Sequence, residues 1–172
     1  MKPSPVRCVH LCAAGVVMAL MAGLTATAGK PVTGAIAYPQ DYREWSHVKS
    51  GLIDDPAHPA FPRFGGIHHI YANAAARDGL RSGHYPDGAI FAYDLLELRK
   101  MPDGTIDQGA RRHVDVMLRD AKRFADTGGW GYEEFRNGDP GQPTLTAKAR
   151  AGCHACHKSR MANGYVFSDW RQ

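Results

Sequence analysis

Hydrophobic and polar positions change period several times along the chain, and those changes mark the elements. His113 to Leu118 alternates, with Val114, Val116 and Leu118 on one side and His113, Asp115 and Met117 on the other. That is the pattern of a half-buried strand. Ala89 to Leu98 is β-prone, and alternation there puts Phe91, Tyr93 and Leu95 on one face. Pro102-Asp103-Gly104 is a turn between these two segments, which predicts an antiparallel hairpin. Ile67 to Tyr71, Trp45 to Ile53 and Trp130 to Phe135 read as further strands. Helical signals are shorter. Asp41 to Ser46 predicts a short helix capped by Asp41, Ala72 to Leu80 is alanine-rich, and Arg119 to Asp126 suits one or two turns. Thr146 to Met161 predicts a C-terminal helix with Thr146 as its cap. The three prolines between Asp54 and Pro62, and the stretch from Gly138 to Pro143, predict loops. The expected fold class is α+β: a mainly antiparallel sheet with short helices and a C-terminal helix.

The first 28 residues follow a different pattern. Lys2 and Arg7 precede an apolar run from Leu11 to Leu24, and Ala26-Thr27-Ala28 supplies a small-x-small cleavage pattern. The run is short beside the roughly 20 residues of a spanning helix. The expected organisation is a signal peptide over 1–28 and a single domain over 29–172, exported to a periplasm and without a membrane anchor after cleavage. Cleavage removes two of the four net positive charges, and the remainder is too small and dispersed to suggest nucleic acid.

Cleavage also removes Cys8 and Cys12, leaving Cys153 and Cys156. A lone pair in an oxidising compartment can be a disulfide. Here the sequence is Cys153-His154-Ala155-Cys156-His157, the C-x-x-C-H attachment signature of haem c. Two thiols bond the two vinyl groups on one edge of the ring, and the following imidazole reaches the iron. On a helix of about 3.6 residues per turn, positions 153, 156 and 157 share one side. A zinc site would need more closely spaced ligands, and a thioredoxin-type pair would need a βαβ unit. The expected cofactor is one covalently attached haem c, with His157 as the iron ligand and His154 pointing away. Downstream of the motif the sequence has one methionine, Met161, on the same helical stretch as His157. A second iron ligand would come from upstream or be absent, and an open position favours small ligands.

An ordered series of segments then suggests a family. It comprises Tyr42-Arg43-Glu44-Trp45, Ile67 to Tyr71, Asp87-Gly88, Arg119 to Ala125, Gly129-Trp130 and Cys153 to Lys158. Over residues 38–170 the chain resembles the cytochrome P-460 and cytochrome c′-beta family. The resemblance implies a small antiparallel β fold, a homodimer and a five-coordinate haem with its distal face against the sheet. Some members oxidise hydroxylamine or react with nitric oxide, and carry a lysine cross-linked to the haem on the strand after Asp-Gly. Others lack the cross-link and bind gases in an apolar pocket. Tyr93 stands at the position of that lysine, so the resemblance implies that the lysine cross-link is absent. It also places Asp115 at the position of a distal carboxylate that accepts protons; a solvent-facing strand aspartate is the other reading of Asp115. Phe91 and Tyr93 either line the distal pocket or pack in the core. Of His68 and His69, strand alternation lets one face inward. The preferred function is binding of nitric oxide or similar nitrogen-oxide ligands. The alternatives are a hydroxylamine or nitric oxide oxidoreductase that passes electrons to a soluble cytochrome, and a simple electron carrier.

Overall fold

The computed structural model describes residues 36–170. The expected signal peptide, residues 1–28, lies outside that range. Strands β1 (Ser46–Ile53), β2 (Gly66–Ala72), β3 (Ile90–Lys100), β4 (Ile106–Arg119) and β5 (Trp130–Arg136) form one sheet in the order β1-β2-β3-β4-β5. Each strand pairs antiparallel with its chain neighbour. The predicted hairpin across Pro102-Asp103-Gly104 is β3–β4, the longest pairing in the sheet.

The register assigns the two faces. Phe91 stands across from Met117, which stands across from Tyr132. These three pack with Ala72, Trp130, Leu145 and Val166 on one side of the sheet. On the other side Ala92, Val114, Val116 and Phe135 pack against Ile36 and Tyr42 of the N-terminal segment. That segment is fastened by a buried carboxylate: Asp94 accepts from Tyr42 Oη at 2.7 Å, Arg111 Nε at 2.6 Å and Arg43 at 3.0 Å. A buried charge needs such partners to offset its lost hydration.

Helix α2 (Ala74–Ser82) starts at Asn73, whose side chain does three jobs. Its Oδ1 accepts from Ala76 N at 2.9 Å and Ile90 N at 3.1 Å, and its Nδ2 donates to Gly88 O at 2.9 Å. Helix α3 (Ala147–His157) is capped by Thr146, which accepts from Ala149 N at 3.2 Å.

The structure shortens several predicted helices. Asp41–Ser46 reduces to a 3-10 turn, Tyr42–Glu44, with no side-chain cap from Asp41. The Arg119–Asp126 segment is a series of turns with a 3-10 turn at Ala125–Thr127. Here the backbone follows local tertiary bonds, such as Ala121 N to Asp87 at 2.7 Å. The C-terminal helix stops being α-helical at His157 and continues as 3-10 turns over Lys158–Asn163. One element was not predicted: α1 (Phe61–Phe64), a single turn at the end of the proline-rich loop. No helix among the described residues is long and apolar enough to cross a membrane.

Candidate haem site

Between the sheet and α3 lies a cavity of about 670 Å³. Its helical wall carries Ala149, Gly152, Cys153, Cys156 and His157. Its sheet wall includes Ile70, Phe91, Tyr93, Asp115, Met117 and Tyr132, and Phe64 of α1 also lines it. The lining is apolar with a few converging polar groups, as small-molecule sites usually are.

Cys153 and Cys156 are free thiols, not a disulfide. Burial pushes the Cys153 thiol above its ordinary value. His157 is oriented by the chain that follows it. Gly164 and Tyr165 both take left-handed backbone angles (φ 63° and 68°), and the turn brings the Tyr165 carbonyl back to His157. The Nδ1–O distance is 2.7 Å. Because a carbonyl only accepts, Nδ1 carries the proton, and Nε2 keeps its lone pair for a metal. Burial pushes His157 below its ordinary value, which favours the neutral imidazole a metal requires. Left-handed backbone is uncommon for a tyrosine. Trp130 supports the turn, its indole N–H donating to Gly164 O at 3.0 Å. Tyr132 and Phe167 flank the imidazole, each with its ring centroid 5.1 Å away. His154 is not on the cavity wall and stacks on Tyr165 instead.

These residues fit a haem. Two unpaired thiols and a correctly protonated imidazole share one wall of an apolar cavity, and Cys153, Cys156 and His157 would hold the group. A family model, Cytochrome P460, matches residues 39–168. The chain belongs to the cytochrome P460 family. No curated protein matches it. Membership makes it a haem cytochrome, and the α+β expectation agrees with the five-stranded antiparallel sheet.

The remaining predicted residues fall on the sheet wall of this cytochrome. Phe91, Tyr93 and Asp115 all line the cavity. Tyr93 lies directly across β3–β4 from Asp115. Its phenol is pushed up by burial first and by the Asp115 charge second. His68 faces the cavity, whereas His69 bonds Ser50 at 2.7 Å. The His68 ring stacks on Tyr93 with centroids 4.5 Å apart and planes at 21°. Gly51 of β1 makes that position possible, since a Cβ there would stand 2.5 Å from His68 Cε1. Burial lowers the His68 pKa to about 4, and Lys49 adds to the effect.

Two residues near the site were missed in the sequence. Arg63 of α1 bonds Asp115 Oδ1 at 3.3 Å and Glu134 Oε2 at 2.7 Å. Glu134 lies directly across from Asp115. Alternation along Trp130–Phe135 could have put Glu134 on the same face as Tyr132. Nothing in the proline-rich loop signals the reach of Arg63.

Proposed function

We propose that this family member is an exported mono-haem c-type cytochrome that binds nitric oxide or a related nitrogen-oxide ligand. In this reading Cys153 and Cys156 form the two thioethers, and His157 is the one protein ligand to the iron. The observation that carries it is the sheet wall of the cavity. Ile70, Phe91, Tyr93 and Met117 give it an apolar surface, and the His68 ring is packed into a stack against Tyr93. A dry wall favours neutral diatomic molecules over water and anions. Haem c, when bound, supplies an iron that takes such a ligand and changes oxidation state. Phe91 excludes water, Tyr93 fills the position of the family's cross-linking lysine, and Arg63 holds the Asp115 carboxylate at the cavity edge.

One observation favours a second reading. Asp115 lines the cavity and lies 3.5 Å from His113 Nε2. A carboxylate so placed could accept protons from hydroxylamine or another substrate, making the chain an oxidoreductase that passes electrons to a soluble cytochrome. The homodimer and a periplasmic location belong to both readings.

Absorption spectra of the haem-loaded protein, oxidised and reduced, with and without nitric oxide, test these proposals. A five-coordinate high-spin spectrum that responds to nitric oxide is the expected result. A strongly red-shifted ferrous Soret band would indicate a ring cross-link and favour the enzyme. A low-spin spectrum indifferent to nitric oxide would sink both in favour of electron transfer.

A further inference from the structure

Strand β4 puts His113 and Asp115 two residues apart on the same face, and β5 sets Glu134 directly across from Asp115. Two carboxylates facing each other across a ladder repel unless a cation joins them. Arg63 provides one positive charge against two negative ones. It uses Asp115 Oδ1, leaving Oδ2 turned toward His113. The His113 side chain is only 8 % exposed. Its Nε2 is buried without a hydrogen-bond partner, although Asp115 Oδ2 is 3.5 Å away. A buried, unpartnered ring nitrogen aimed at a carboxylate is costly.

The spacing has a chemical meaning. Two ligands about 2.1 Å from one ion and at a tetrahedral angle stand about 3.4 Å apart. His113 Nε2 and Asp115 Oδ2 match that edge. An oxygen of Glu134 completes a trio whose atoms all lie within 4.8 Å of one another. The donors already have supports of the kind metal ligands use. Thr144 Oγ1 donates to Glu134 Oε1 at 2.7 Å, and Arg63 donates to Asp115 Oδ1.

We propose that His113, Asp115 and Glu134 form a second, non-haem site for a divalent transition-metal ion beside the haem cavity. One imidazole and two carboxylates suit zinc, ferrous iron or manganese. Three protein ligands leave coordination positions open, and Asp115, a ligand that also lines the cavity, connects the two centres. Arg63 is the stand-in cation: 39 % exposed and carried on a single helical turn, it moves off Glu134 Oε2 when the ion enters.

The test is equilibrium dialysis of the full haem-loaded protein against zinc, with metal and haem counted per chain. One saturable zinc per chain is expected, with affinity at least tenfold weaker in His113→Ala and in Glu134→Gln. Glu134→Gln keeps the side-chain volume and a partner for Thr144, so it remains informative if His113→Ala fails to fold. Absence of saturable binding, or wild-type affinity in a folded variant of either kind, would overturn the proposal. The other histidines of the chain would then account for any zinc retained.

Discussion

Individual side chains around the cavity carry charges and protons that solution measurements can read. His68 is the clearest case. Its folded pKa of about 4 lies below the ordinary value of 6.5, so the unfolded chain takes up a proton first as pH falls. The stability held by the neutral ring is intact above about 6.5 and drains away toward pH 4. Between pH 7 and pH 5 the loss from this group, reduced by solvent screening of a ring only partly withdrawn from water, comes to about 1 kcal/mol. Denaturant unfolding of the haem-loaded protein at those two pH values should show it, and His68→Gln should lose correspondingly less. An equal loss in both proteins would mean that the ring does not titrate as its burial dictates. Asp115 gives a kinetic counterpart. If the oxidoreductase reading holds, Asp115→Ala slows hydroxylamine turnover by about 10²-fold or more while haem content stays the same; unchanged turnover would remove its proton role. Period-two alternation was enough to pair Phe91 with Tyr93 on one strand and His113 with Asp115 on another, while the family resemblance brought Asp115 to the cavity side. Alternation could not reveal Arg63 or His68's packing over Gly51, because both depend on which strands and loops become neighbours.

At the scale of elements, the strands were legible and the short helices less so. Strand signals here come from local alternation and turn chemistry, both written in consecutive residues. Helix α1 has no such signal. A single turn does not offset its own nucleation cost, and Phe61–Phe64 is held from outside. Arg112 of β4 donates to the carbonyls of Gly65 and, at 3.2 Å, Pro62. That clamp places Phe64 edge-on to Tyr93 and sends Arg63 to the two carboxylates. Helix α2 was legible from its alanines, but its fastening was not. Asn73 links the start of α2 to the start of β3, so Asn73→Ala removes a cap and two cross-links together. The expected cost is about 2 kcal/mol in unfolding free energy, whereas a cap alone would cost about 1 kcal/mol. A urea titration of wild type and variant distinguishes these values.

For the whole molecule, the main fact is that one face of the sheet is closed by packing while the other surrounds a cavity. The closed face buries Val114, Val116 and Phe135 under the N-terminal segment. On the other, apolar residues face a space of about 670 Å³. A space of that size lined by Phe91, Met117 and Tyr132 is stable when filled, because empty apolar volume costs contacts on every wall. If Cys153 and Cys156 form the two proposed thioethers, Cys153→Ser with Cys156→Ser should therefore lower the thermal midpoint by roughly 10 °C or more. Calorimetry against the haem-loaded wild type measures this, and an unchanged midpoint would show that the cavity wall supports itself. The strand order has a further consequence, in time. Every strand pairs with the one made just before it, so the sheet can assemble hairpin by hairpin through short loop closures. The helix bearing Cys153, Cys156 and His157 is translated after all five strands. The order of residues thus allows the cavity floor to be laid before the segment that covers it, so the last helix closes a space whose far wall already stands.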